Sequence, residues 1–269
     1  MEYKLVKEKF LKLFDKYNNR RIENIDYILS YYLNKSIIEI KFYNFNKKEI
    51  QQLNKYIIKF LKTNMPVQKL FKKAFFFKRE FFVNKNVLTP RFDSEVLIEE
   101  ILQKKFTKVL DLCAGSGCLG ITLKCEKPEI NLTIADISKK ALNICNKNCK
   151  KHNIKAKLIE TDMFKKINGK FDLIICNPPY IETETVKNLG EDVKNFDPIL
   201  ALDGGQDGLK FYNIIFKEID NYLTINGKCI IEIGFNQGYL EEKFKEKYKS
   251  VKLIKDYNNL DRAIYFEKE

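Results

Sequence analysis

Apolar residues recur every three or four positions in three early stretches: "YKLVKEKFLKLFDKY", "IENIDYILSYYL" and "KKEIQQLNKYIIKFLK". That spacing lines one face of a helix. It predicts a small helical domain over residues 1–64. Asn46 is placed to cap the third helix, with Glu49 in its first turn. This segment contains no glycine and no cluster of chemically active side chains. A structural bundle explains it, with partner recognition as its functional alternative.

The pattern changes over residues 65–86. Pro66 stops the preceding helix, and aromatic residues then crowd both sides of Lys78-Arg79-Glu80. This predicts a linker containing a β-hairpin whose aromatics cover a neighbouring surface. A basic and aromatic cluster can also stack nucleobases, but no regular spacing supports that use here. From residue 107 short apolar runs alternate with helical patterns. The runs are "KVLDLC", "LTIAD", "KLIET", "FDLIIC", "KCIIEIG" and "AIYFEK"; "SKKALNICNKNCKKHN" is one of the helices. Continuous apolar strands separated by helices form a parallel sheet covered on both faces. Residues 87–269 are therefore expected to be one α/β domain. Its ligands would meet the carboxyl ends of its strands.

Composition adds limits. The 269 residues are 45% hydrophobic, enough for a sizeable core. No apolar run is long enough to span a bilayer, and the charged first residues do not resemble a signal peptide. The seven cysteines form no C-x-x-C pair and have one histidine, His152, for company. That argues against a metal site or a disulfide framework and for a reducing cytoplasm. The net charge of +13 fits attraction to an acidic partner such as RNA. It equally fits a lysine-rich, A/T-biased composition, because the charge is spread along the whole chain.

The chemistry gathers where strands end. After the first run comes "DLCAGSGCLG", in which Gly115, Gly117 and Gly120 satisfy G-x-G-x-x-G. Alone, the motif also fits a dinucleotide fold. Asp136 closes the second run, where a carboxylate can accept from ribose hydroxyls. Asp162 and Met163 close the third; the acid can accept from an adenine amino group and the thioether can pack on its ring. Asp111, at the end of the first strand, suits a cationic ligand or orders the glycine loop. Ribose, adenine and a cationic centre together describe S-adenosylmethionine. Without a ligand, the three acids would merely end strands and cap helices.

The fourth run delivers Asn177-Pro178-Pro179-Tyr180 to the same edge. An amide nitrogen is a poor nucleophile because its lone pair is delocalised. It has to be positioned, with its hydrogens engaged. The Asn177 side-chain oxygen can accept one N–H and the Pro178 carbonyl the other, while the prolines offer no competing donor. The Tyr180 ring can cover the planar group. Such a site works by positioning and electrostatics. No general base is evident, and His152 reads as solvated surface.

"DLCAGSGCLG", "ADIS" and "NPPYI" resemble class I S-adenosylmethionine-dependent methyltransferases that act on planar nitrogens. "VLTPRFDSEVLIE" (Val87 to Glu99), "PILALDGGQDGLKFY" (Pro198 to Tyr212), "GKCIIEIGFNQG" and "DRAIYFE" narrow the resemblance to the HemK-type protein-glutamine N5-methyltransferases. It covers roughly residues 64–269; the helical segment matches in character only. The resemblance implies a Rossmann-like domain with a mostly parallel seven-stranded sheet, preceded by a small helical domain. It implies a cytoplasmic monomer that acts in translation termination, needing neither metal, membrane nor direct nucleic-acid binding. The partner would be a class 1 peptide chain release factor, methylated on its Gly-Gly-Gln glutamine, with S-adenosylhomocysteine as by-product. Asp111, Cys113, Ala114, Gly115, Ser116, Gly117, Asp136, Asp162, Met163 and Asn177 would hold the cofactor. Asn177, Pro178, Pro179 and Tyr180 would bind the amide, with Asn177, Pro178 and Tyr180 directly concerned in the chemistry. Pro90 and Arg91 would build the pocket wall. The alternative is an amino-methyltransferase acting on adenine or guanine, with the base unstacked into the pocket. A vestigial binding module would not need the intact motifs, and a dehydrogenase leaves Asn177-Pro178-Pro179-Tyr180 without a role. The chain departs from the family in three places. Phe92 replaces a proline, the glycine usual near "KLFKK" is absent, and Cys113 stands where a small residue is common.

Overall fold

The computed structural model describes residues 1–17 and 21–269. They fall into two compact units: Met1–Lys73 with Glu191–Phe196, and Ala74–Gly190 with Asp197–Glu269. The expected linker over 65–86 is thus divided, its first part packing with the helices and its second with the sheet.

In the first unit run α1 (Tyr3–Lys16), α2 (Asn24–Leu33), α3 (Ile37–Ile40), α4 (Lys47–Thr63) and α5 (Val67–Phe71). Phe10, Phe14, Ile28, Leu53, Ile57 and Phe60 are buried together along their apolar faces. At α4 the Asn46 side chain accepts from Glu49 N at 2.9 Å, and Glu49 accepts from Asn46 N at 2.8 Å. This reciprocal capping box satisfies two donors the helix leaves open. Asn64, at φ +51°, ends α4 two residues before Pro66. Lys72 closes α5 at φ +56°, so a lysine holds the left-handed turn that glycine would make without strain.

The second unit opens with the expected hairpin, β1 (Lys73–Phe76) and β2 (Arg79–Phe82). Phe77 and Lys78 turn it at φ +47° and +62°, the pair of left-handed residues that a tight hairpin requires. Phe76 and Phe81 are buried in the core. His152 departs from expectation. Its ring packs 4.9 Å from that of Phe81, its Nε2 lies 3.0 Å from the Glu80 carbonyl oxygen, and burial lowers its pKa.

A 3-10 turn over Phe92–Ser94 leads into α6 (Glu95–Leu102). There follow β3 (Lys108–Leu112), α7 (Cys118–Glu126), β4 (Asn131–Asp136), α8 (Lys139–Lys151), β5 (Lys157–Glu160), β6 (Phe171–Cys176) and α9 (Thr183–Lys187). After α10 (Glu191–Phe196), which groups with the first unit, come α11 (Lys210–Glu218), β7 (Leu223–Glu232), α12 (Leu240–Lys245), β8 (Ser250–Lys255) and β9 (Asp261–Glu267). The seven strands lie in the order β5-β4-β3-β6-β7-β9-β8. The first five are parallel, and β9 is antiparallel to both its neighbours. One apolar cluster joins α6, α7 and α8 to one face of the sheet, and another joins α11 and α12 to the opposite face. The strand order reverses between β3 and β6, which opens a crevice at their carboxyl ends. Among the described residues, no helix is long and apolar enough to cross a membrane.

Candidate active site

A cavity of about 220 Å³ occupies that crevice. Cys113, Ala114, Gly115, Ser116, Asp136, Asp162, Met163, Asn177 and Pro179 line it, and Pro90 and Arg91 form another part of its wall. These residues, from four different strand ends, therefore meet in one space.

Backbone geometry explains the glycine loop. Gly115 has φ +55°, and a Cβ built there meets no atom within 4 Å, so it faces open space. Gly117 has φ +78°, and its Cβ would come 2.6 Å from Cys145 Sγ. It is held under the loop and does not line the cavity. Cys113 carries a side chain at φ +59°, where glycine is the unstrained residue; its sulfur lies 3.7 Å from that of Met163, itself at φ +47°. From α8, the buried Asn148 donates to the Ser116 carbonyl at 2.9 Å and exchanges two hydrogen bonds with Phe82. This ties the loop to the hairpin.

The three acids have different roles. Asp136 borders the cavity and uses one lone pair of each oxygen locally: Oδ2 accepts from Gly115 N and Oδ1 from Ser138 N, both at 2.8 Å. Burial raises its pKa, and the two backbone N–H groups oppose that shift. Each oxygen keeps a second acceptor site for a ligand. Asp162 is half exposed and paired with Lys165 at 2.6 Å. Asp111 lies beneath the loop rather than in the cavity expected of a cofactor residue. It is fully buried, and its Oδ2 accepts from Gly120 N at 2.9 Å. A Cβ on Gly120 would come 2.7 Å from that oxygen, so the third glycine lets α7 close on β3. Burial pushes the Asp111 carboxyl up to about 7.

At the end of β6, Asn177 lines the cavity, and its side chain makes no hydrogen bond to the described residues. Pro178 is buried, and neither it nor Tyr180 lines the cavity wall. Tyr180 turns toward the carboxyl end of β7. Its hydroxyl lies 3.5 Å from Glu232 Oε1, and its carbonyl accepts from Gln237 Nε2 at 3.2 Å. The glycine-rich stretch after α10 packs on this turn. Gly204 N donates to the Ile181 carbonyl at 2.7 Å, and Ile181 N to the Leu202 carbonyl at 3.0 Å.

Asp197 holds the cavity wall, a role the sequence reading did not assign. Its buried carboxylate takes Thr89 N and Thr89 Oγ1 at 3.2 Å each, and the Arg91 guanidinium at 3.0 Å. The wall segment is thereby tethered to the chain that follows Asn177-Pro178-Pro179-Tyr180. Phe92, named above as a departure from the resemblance, is 63% exposed and stacks on Tyr257 at 4.7 Å. The exposed ring thus has an aromatic neighbour instead of being isolated in solvent. Among the described residues, no cluster of His, Cys, Asp and Glu is suited to a metal ion.

The family model "Methyltransferase small domain" matches residues 89–196. The release factor glutamine methyltransferase of Mycoplasma mycoides is 35% identical over 270 residues, with 90% of each chain covered. The ribosomal protein uL3 glutamine methyltransferase of Francisella tularensis is 37% identical over 190 residues, covering 66% of this chain and 59% of that one. Among solved structures, a Thermus thermophilus 16S rRNA N2 G1207 methyltransferase, in complex with AdoMet and guanosine, superposes with a TM-score of 0.53. It is 17% identical and covers 73% of this chain and 50% of that one, a likeness of fold.

Proposed function

The chain belongs to the release factor glutamine methyltransferases, and on that premise we propose its reaction. It transfers a methyl group from S-adenosylmethionine to the N5 amide nitrogen of the Gly-Gly-Gln glutamine in class 1 peptide chain release factors. The observation that carries this reading is the Asn177 side chain, unbonded to the described protein, in the same cavity as Asp136 and Gly115.

The residues present fit the cofactor. Gly115 leaves open space where a side chain would project, Asp136 keeps acceptor capacity, and Met163 and Leu112 supply apolar wall. Asp136 would hold the ribose hydroxyls, and Met163 with Asp162 would meet the adenine. When bound, S-adenosylmethionine supplies an electrophilic methyl group on a sulfonium sulfur.

The chain's own task is to present the amide nitrogen. Asn177 Oδ1 accepts one N–H of the glutamine amide; although Pro178 does not line the cavity wall in this structure, its carbonyl is the acceptor we assign to the other. With both hydrogens engaged, the amide plane is fixed and its nitrogen faces the donor. Neither proline has an N–H to compete. The apolar walls exclude water, which strengthens each of these hydrogen bonds. The nitrogen that takes the methyl group then gives up one of its two engaged N–H protons, which leaves to solvent, so catalysis rests on orientation.

The test is transfer of labelled methyl groups to four substrates: a class 1 release factor, the same factor with its Gly-Gly-Gln glutamine replaced by alanine, ribosomal protein uL3, and RNA or DNA. Label on the first alone is expected. Label confined to nucleic acid, or retained on the glutamine-free factor, overturns the reading.

A further inference from the structure

Outside the cavity, the carboxyl end of β7 carries a buried polar group of unusual density. Gln237, Tyr212 and Glu232 are 6%, 2% and 2% exposed. Gln237 Oε1 accepts from Gly234 N at 2.8 Å, and its Nε2 reaches the Tyr180 carbonyl at 3.2 Å. The Tyr212 hydroxyl lies 3.1 Å from both Gln237 Oε1 and the Glu232 carbonyl oxygen. Glu232 Oε1 faces the Tyr180 hydroxyl at 3.5 Å, while its Oε2 has no hydrogen-bond partner among the described residues. Two glycines accept this arrangement sterically. A Cβ at Gly208 would come 2.6 Å from the Tyr180 oxygen, and one at Gly234 would come 2.9 Å from Gln237 Oε1.

Burying a carboxylate costs stability even with the Ser94 hydroxyl and the Arg262 guanidinium near it, since an apolar side chain of the same size would avoid the desolvation. A shape-filling role therefore does not explain glutamate here. We propose that Glu232 and Gln237 are positioning residues for methyl transfer: they hold Tyr180 by its two ends, phenol and carbonyl, and so fix the Asn177–Tyr180 turn against the cavity. The role of that turn in substrate binding rests on the function proposed above; the grip itself does not.

The surroundings make the phenol end sensitive to protonation. Burial raises the Glu232 carboxyl to about 7; the Ser94 hydroxyl, the Arg262 guanidinium and the Tyr180 hydroxyl pull it down, and Asp93 pushes it up. Arg262 itself lies 2.8 Å from Asp256 and 3.9 Å from Asp93. The ionised carboxylate is the better acceptor for the Tyr180 hydroxyl, so the grip tightens as pH rises through neutrality.

The experiment uses the full chain and the variants Glu232→Gln, Glu232→Ala, Gln237→Ala and Tyr180→Phe, with Tyr180→Phe/Glu232→Ala as the double variant. Methyl transfer to a release factor, cofactor affinity and amide hydrogen exchange over residues 177–183 are measured on each. Glu232→Ala and Gln237→Ala are expected to lower kcat about tenfold, with cofactor Kd changed less than about twofold. Exchange over 177–183 should accelerate in both. Glu232→Gln should recover most of the lost kcat and flatten the rise of kcat through pH 7. In the Tyr180→Phe background, Glu232→Ala should cost little more. Full additivity there, a parallel loss of cofactor affinity, or unchanged exchange over 177–183 overturns the proposal. Should Glu232→Ala not fold, the isosteric Glu232→Gln and the Tyr180→Phe profile decide. If the unmodified chain is inert on release factor, the proposed function falls, and hydrogen exchange alone judges the grip.

Discussion

A Cβ added to Gly208 would stand 2.6 Å from the carbonyl oxygen of Tyr180. The two residues lie far apart in sequence, yet the closeness of their backbones sets the turn that carries Asn177. Gly208 also has φ +71°, so alanine there meets both a clash and a strained backbone. Gly208→Ala is expected to destabilise the fold by about 2 kcal/mol and to lower methyl transfer at temperatures where the protein remains folded. Urea unfolding and initial rates on the same preparation check this.

Asn177→Ala removes the acceptor offered to the substrate amide. It should lower kcat about 100-fold or more, the usual cost of one hydrogen bond that matters most in the transition state. The side chain has no hydrogen bond to the described residues to lose, so thermal stability and cofactor affinity should be nearly unchanged. Equal losses of turnover and cofactor affinity would give the residue a cofactor role instead.

Asp136→Ala should weaken cofactor binding by about 10- to 100-fold, as expected for charge-assisted hydrogen bonds. The carboxylate also ties Gly115 N and Ser138 N, so part of the loss will come from loosening of the loop. Asp136→Asn separates the two contributions, because it retains one acceptor oxygen. Calorimetric titration with S-adenosylhomocysteine is the measurement.

Asp111 makes stability depend on pH. Its carboxyl sits at about 7 in the folded protein, against 3.8 for the free side chain, because burial disfavours the charge. Between about pH 4 and 7 the unfolded chain therefore releases this proton while the folded chain keeps it. The group's contribution to stability falls across that window and levels above it. Asp111→Asn, whose side-chain oxygen can still accept from Gly120 N, should be more stable than the unmodified chain by of the order of 2 kcal/mol at pH 8. The gain should vanish near pH 4. Denaturant midpoints at the two pH values decide it.

Cys113 occupies a left-handed backbone position at φ +59°. Cys113→Gly relieves that strain and should raise stability by roughly 0.5–1 kcal/mol, less the lost contact with Met163. Cys113→Val, β-branched at the same φ, should be destabilising. Melting temperatures of the pair give the sign.

Local signals were the legible ones. The Asn46 cap, with Glu49 in the first turn, is written within four residues and was read from the sequence; the reciprocal bond from Glu49 back to Asn46 N was added by the structure. The glycine loop, Asp136 and Asn177-Pro178-Pro179-Tyr180 were legible because each follows its own apolar strand and needs no distant partner to be recognised. Gln237 and Glu232 were not. Their contacts to Tyr180 span 57 and 52 residues, so although both lie in the quoted "GKCIIEIGFNQG", their partner could not be read from it. Asp197 escaped for the same reason, since Thr89 lies 108 residues away. The strand β8 was missed because an edge strand with exposed Ser250, Lys252 and Lys255 has little apolar pattern. Lys72, Cys113 and Met163 at positive φ were also invisible, because a residue with a Cβ does not signal such a conformation. The glycine-rich "ALDGGQDGL" entered the sequence reading only as part of the family resemblance. In the structure much of it packs on the Tyr180–Ile181 backbone, so its glycines answer a steric demand inside the protein.

The order of the last strands also bears on how the enzyme comes into being. β9 is synthesised after β8 but lies between β8 and β7. When β8 leaves the ribosome it has no partner, and β7 still has an open edge. Arg262, which faces Glu232 from β9, arrives later still. During synthesis, then, the glycine loop and the Asn177 turn emerge long before the sheet that braces them can close. A nascent chain would carry a recognisable methyl-transfer motif without its support, and activity would be gated by the placement of one late strand.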